Sequence, residues 1–162
     1  MQESSNKIIQ QGEIVSFDTD MVGPYGYCAD ISRTFVCGND FNNNQKMLYS
    51  MSLEQINHNS NLIKADMSFK EFTEKSWKLP EEYYGNRYSV MVHGIGLCDE
   101  WPSIRYPTDG GDKSGRFLKN MTITVESYIG KVGGKEGVKL EQQYLVGENG
   151  LELMSHHPLE KI

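Results

Sequence analysis

The sequence predicts an α+β domain built on an antiparallel sheet. Three observations carry that expectation: two alternating runs joined by a Gly/Pro cluster near the start, two segments of helical spacing in the middle, and three β-rich runs in the second half.

Gly12 to Asp18 (GEIVSFD) alternates as a strand does, and Gly23-Pro24-Tyr25-Gly26 reads as a turn. Tyr27 to Val36 then returns antiparallel, giving a β-hairpin. From Asn42 to Ala65 the apolar residues Met47, Leu48, Met51, Ile56, Leu62 and Ile63 fall near helical spacing. Ser68, with Glu71 three positions on, reads as the N-cap and capping-box partner of a second helix running through Trp77. After Pro80 the pattern turns to β: Tyr88 to Ile95, Met121 to Ile129 and Gly137 to Val146, with a loop at Thr108 to Gly115.

The 162 residues fit one domain, since domains usually hold about 100–200. With 38% hydrophobic residues a core is available and disorder is excluded as the main state. A formal charge of −6 with no basic patch argues against nucleic acid as a partner. No run approaches the about 18 apolar residues of a membrane span, and MQESSNKIIQQGE lacks the plan of a secretory signal, so a cytoplasmic protein with no membrane partner is expected. Cys28, Cys37 and Cys98 match no zinc spacing and read as free thiols in a reducing compartment.

Five acids and one histidine fall on or beside predicted strands: Asp18, Asp20, Asp30, His93, Glu126 and Glu141. Strand side chains alternate, so Asp18 and Asp20 project together while Thr19 points away. Carboxylates confined in this way repel unless they are solvated, protonated or bound to cations.

Four ordered segments, GYCADISRTF (26–35), VHGIGLCDEWP (92–102), MTITVES (121–127) and VKLEQQYLVGENGLELMS (138–155), resemble the creatinase, prolidase and methionine aminopeptidase family, whose fold is the pita-bread fold. The resemblance covers about residues 13–155. It implies a pair of metal ions, bridged by Asp30 and Glu141, with His93 and Glu126 completing one ion and Asp18 and Asp20 the other. An oxygen-rich set with one imidazole suits iron, zinc, manganese or cobalt.

Three departures set this chain apart from the peptidases. Their first Asp ligand falls where Thr19 stands here, with acids at both neighbours; their second histidine, which contacts the substrate amide, has no counterpart in HGIGLCDE, which offers Asp99; and Ser127 takes the place of a usual Pro. The altered set, FDTDMVGPYGYCADISRTF with HGIGLCDEWP, resembles the dimethylsulfoniopropionate lyase branch of the same fold. That resemblance implies cleavage to dimethyl sulfide and acrylate at a dinuclear site, with iron as the first expectation, Asp99 as base and Tyr88 close to it.

The chemistry is a β-elimination, and a carboxylate base suits it. The small-molecule substrate is a sulfonium, a fixed cation that calls for aromatic faces, and Tyr25, Tyr27 and Trp101 are the candidates, with Tyr88 and Tyr106 beside the motifs. Tyr88 lies five positions from His93, on the opposite face of a regular strand, so a bulge is needed to bring it in. Five carboxylates against two divalent ions leave one negative charge, which favours a higher-charged ion such as ferric iron. The rivals are a dinuclear aminopeptidase or prolidase and a non-catalytic binding module of the same fold. Only 17 residues precede Asp18, so the reading is of one partial pita-bread domain over residues 1–162, incomplete at its N-terminus and lacking the family's N-terminal domain. The hairpin's apolar face, with Ile14 and Phe17, is then left open, the chain alone is expected to be weak or inactive, and the longer parent is expected to be a homodimer.

Overall fold

The computed structural model describes residues 5–38, 40–111 and 113–159. The predicted hairpin forms, but as two ladders in line. β1 (Ile14–Asp18) opens it, followed by β2 (Met21–Val22), a 3-10 turn at Pro24–Gly26, β3 (Cys28–Ala29) and β4 (Ser32–Val36). β1 pairs with β4, setting Asp18 opposite Ser32, and β2 pairs with β3. Between the ladders the Thr19 hydroxyl donates to the Ile31 carbonyl and accepts from its N–H, both at 3.1 Å. The backbone therefore turns at Asp20, in the left-handed region at φ 29°, and the interruption falls where the acids sit.

α1 (Asn43–Leu62) is closed at its start by a capping box between Asn42 and Gln45. Its buried stripe is Gln45, Leu48, Tyr49, Ser52, Gln55, Ile56 and Asn59, at helical spacing but half polar, while Met47 is exposed. Of the apolar residues expected at helical spacing, Leu48 and Ile56 lie in this stripe, and the polar residues between them find partners across the helix, as Gln55 does with Tyr106 and Ser127. α2 (Phe69–Lys75) is capped by Ser68, which accepts from the Glu71 N–H, whereas the Glu71 carboxylate bonds Lys75. This helix stops short of Trp77, whose N–H donates to the Asn59 side chain.

A single turn, α3 (Glu81–Tyr84), follows Pro80. Then come β5 (Val90–Gly94), β6 (Ser103–Arg105), β7 (Thr122–Gly130), β8 (Gly137–Val146) and β9 (Leu151–Leu153). They form one antiparallel sheet in the order β6-β5-β7-β8-β9. The one-turn helix and the three-residue strands β6 and β9 are too short to leave a periodic signal.

The sheet is two-faced. Ile123, Val125 and Ile129 of β7 and Val138 and Leu140 of β8 are fully buried in the core that α1 covers. The alternate residues Glu126, Lys139 and Glu141 point to the other face, against which β4 packs. There the Thr34 hydroxyl donates to the Lys139 carbonyl at 2.7 Å and accepts from its N–H at 3.1 Å. No helix among the described residues is long and apolar enough to cross a membrane.

Candidate metal centre

Register alone brings the first three groups together. Glu126 of β7 lies directly opposite Glu141 of β8, and His93 of β5 lies opposite Thr124, two positions from Glu126 on the same face. All three are buried. The His93 Nδ1 donates to the Gly94 carbonyl at 3.0 Å, which turns Nε2 toward the carboxylates. Nε2 stands 3.2 Å from Glu141, 3.7 Å from Asp30 and 3.9 Å from Glu126.

The hairpin supplies the remaining acids. Asp30 accepts from the Asp20 N–H at 3.4 Å, and its own N–H donates to Gln143 of β8. The Ser32 hydroxyl lies between the Asp18 carboxylate and that of Glu141, 2.9 Å from the latter. Asp99 arrives on the loop after β5. That loop folds back so tightly that a Cβ on Gly94 would sit 2.1 Å from the Trp101 carbonyl oxygen, so only glycine fits there. The Cys28 N–H, donating to the Gly96 carbonyl at 2.7 Å, ties the loop to the hairpin. Asp99 Oδ1 stands 4.0 Å from His93 Nδ1.

Two groups have the spacing a metal ion needs, Asp30 with His93 and Glu141, and Asp20 with Asp30 and Asp99; within each, one ligand atom from every residue lies within 4.8 Å of the others. Asp30 belongs to both, as a bridging ligand must. Asp18 stands outside these groups, held by Ser32 and Lys139, while Asp99 takes the place beside Asp20 that the sequence reading gave to Asp18.

Lys139 went unnoticed in the sequence and lies at the centre of the site. Its ammonium is fully buried, hydrogen-bonded to Glu126, 3.4 Å from Glu141 and 3.8 Å from Asp18. It also sits 4.6 Å from the centre of the Tyr88 ring. The signal was there: in VKLEQ, alternation puts Lys139 on the Glu141 face, between the core residues Val138 and Leu140.

Burial sets the proton affinities. Desolvation pushes the Glu126 carboxyl up to about 8 against the pull of Lys139. Asp30 rises to about 8 through burial and then the charges of Glu141 and Asp18, and burial also raises Asp18. Burial opposes charge on Glu141 too, but Lys139 and His93 outweigh it and hold the carboxyl at about 2. For His93, burial is overcome by the hydrogen bond to Glu141 and by the charge of Glu126, and the imidazole rises to about 10.

The donor set fits metal ions. Glu126 Oε1 is buried, faces His93 Nε2 and has no hydrogen-bond partner among the described residues, an arrangement that a cation between the two would satisfy. Lys139 corrects the charge count. The five carboxylates expected as ligands and a neutral imidazole carry five negative charges, with the part-exposed Asp99 kept outside that set, the ammonium returns one, and two divalent ions meet the remaining four. The charge argument for ferric iron falls with that correction.

The aromatic candidates separate. Tyr88 precedes β5, the β5–β6 register shifts between Val90 and Val92 as the expected bulge requires, and the phenol donates to Glu100 at 3.3 Å while its ring faces Lys139. Burial raises the Tyr88 phenol well above its ordinary value. Tyr25, Tyr27 and Trp101 are 95%, 56% and 63% exposed, and no ring contact joins them among the described residues. Tyr106 is buried and bonded to Gln55 of α1. Phe17 is exposed as expected, whereas Ile14 is half-buried against the core.

Comparison with known proteins agrees with this geometry. Residues 1–148 match the sequence pattern of Metallopeptidase family M24. The chain is 39% identical to a dimethylsulfoniopropionate lyase, DddP, of Roseovarius nubinhibens and 36% identical to that of Roseobacter denitrificans, in each case over 98% of this chain and 36% of the relative. It therefore spans about a third of the length of the curated relatives it matches. Among solved structures, the prolidase of Pyrococcus horikoshii superposes with a TM-score of 0.79 at 26% identity, over 98% of this chain and 44% of that one. The fold is the pita-bread fold, with an antiparallel sheet and covering helices, and the family implies a dinuclear metal site.

Proposed function

We propose that this chain, which belongs to metallopeptidase family M24, carries the catalytic centre of a lyase that splits dimethylsulfoniopropionate into dimethyl sulfide and acrylate. The observation that carries the reading is Asp99: a carboxylate, with no second histidine beside it, sits within ligand distance of Asp20 and Asp30 at the edge of the buried cluster. The names of the similar lyases point the same way.

Asp20, Asp30, His93, Glu126 and Glu141 would hold two metal ions, with Asp18, the sixth ligand the resemblance implies, having to exchange its Ser32 and Lys139 contacts to join them. Iron stands first among iron, zinc, manganese and cobalt, and the ions would supply Lewis-acid stabilisation of charge on the substrate carboxylate. Asp99 is the base. It takes the proton from the carbon beside the substrate carboxylate, that electron pair forms the double bond of acrylate, and the carbon–sulfur bond breaks to release neutral dimethyl sulfide. Its partial exposure lets the proton pass to solvent afterwards. Tyr88, fixed between Glu100 and Lys139, lines the site beside the base loop. Tyr25, Tyr27 and Trp101, on the hairpin and the base loop, remain the aromatic faces proposed for the sulfonium.

Asp99→Asn tests the assignment. At metal content matched to the unchanged protein, dimethyl sulfide release is expected to fall by about 100-fold or more. Release at the unchanged rate would reject Asp99 as the base.

A further inference from the structure

Lys139 places a buried ammonium among the acids, and neither the composition of the ligand set nor the elimination chemistry calls for it. Its contacts are selective. Of the three carboxylates it meets, Glu126 belongs to the sheet, Asp18 to the hairpin, and Glu141 faces both. Lys139 and Ser32 between them occupy one oxygen each of Glu126 and Glu141 and both oxygens of Asp18. Glu126 Oε1 and Glu141 Oε1 stay turned toward His93 Nε2. The ammonium thus aims the free oxygens inward, as hydrogen-bonded outer partners aim metal ligands.

We propose that Lys139 is an internal countercation that sets the charge of ion the centre accepts, matching it to two divalent metals and disfavouring a trivalent one. The proposal rests on the reading of the cluster as a dinuclear metal centre. Its backbone is locked as well, because the Thr34 hydroxyl holds both the N–H and the carbonyl of Lys139. The stem leaves the strand between Val138 and Leu140, both fully buried, and the Tyr88 ring covers the head. The charge therefore stays in the site whatever ion is bound. One fixed positive charge raises the electrostatic cost of each additional cation charge in a medium that screens poorly.

The test is competitive metal binding, with no turnover involved. Protein stripped by a chelator is dialysed against a mixture of manganese(II) and terbium(III), a redox-inert trivalent ion that prefers oxygen ligands, and both metals are quantified. The unchanged protein and Lys139→Arg are expected to take up manganese in preference. Lys139→Met, which keeps the bulk and drops the charge, is expected to shift the bound terbium-to-manganese ratio upward by about tenfold or more. Lys139→Gln, which retains hydrogen-bond donors for the carboxylates, carries the same expectation if the methionine variant does not fold. An unchanged ratio in the neutral variants overturns the proposal and leaves the metal centre standing. Failure of the unchanged protein to bind either metal defeats the metal-centre reading and the proposal with it.

Discussion

Glu126, Asp30 and His93 share a property that gives the metal-free protein a pH dependence of definite sign. In the folded chain the two carboxyls stand at about 8 and the imidazole at about 10, all above their ordinary values of 4.5, 3.8 and 6.5. A group whose affinity for protons is raised by folding contributes stability below its unfolded value and loses it as pH rises through the folded one. All three act in the same direction, so the melting temperature of the metal-free protein is expected to fall between about pH 6 and about pH 9. Saturating divalent metal should reverse that trend, because it binds the deprotonated ligands and releases their protons. Thermal melts across that range, with chelator and with metal, check both halves; a metal-free protein that grows more stable with rising pH contradicts the assignment. At this scale the acids and His93 were legible because each stands in a quoted segment, but Lys139 was not. A lysine in a strand ordinarily reads as a solvated edge residue, and only the docking of β4 against β8 encloses this one.

Arg33 of β4 shows how the elements are held in register for the site. It is buried, and among the described residues it donates to the carbonyls of Ser32, Glu141, His157 and Pro158 and to the Gln142 side chain. One guanidinium therefore joins β4, β8 and the segment after β9. Arg33→Ala removes a buried donor from the Ser32 and Glu141 carbonyls and leaves Gln142 Oε1 with the Ser155 hydroxyl alone, and is expected to cost about 3 kcal/mol by urea unfolding. A loss within the error of that measurement would mean that the hairpin docks without it. Asn42→Ala, which removes the α1 cap, is expected to cost about 1 kcal/mol while leaving metal content unchanged. A chain as stable as the original contradicts the cap; loss of metal would mean that α1 positions the ligands more directly than the sheet does. The three long strand runs and α1 were readable from period, since each extends over several turns or alternations. β6 and β9, three residues each, take their identity from the neighbouring strands they pair with, and no local pattern announces them. The polar stripe of α1 was missed for a related reason: Gln55 is buried because Tyr106 and Ser127 wait across the helix.

For the molecule as a whole, the sheet separates two tasks by face, with α1 and the apolar core on one side and the acids, His93 and Lys139 on the other. The fold was legible in order and class because that alternation is written into β7 and β8. The aromatic surface of the hairpin and the base loop was not, since Tyr25, Tyr27 and Trp101 carry no pattern that distinguishes a ligand-facing ring from an exposed one. The central claim is that this metallopeptidase-family centre eliminates rather than hydrolyses. The most direct measurement supplies the metal-loaded protein with dimethylsulfoniopropionate and an Xaa-Pro dipeptide in parallel, following dimethyl sulfide in the headspace and free amino acids in solution. Dimethyl sulfide with stoichiometric acrylate and no amino acid release is the predicted result, and amino acid release without dimethyl sulfide would contradict it.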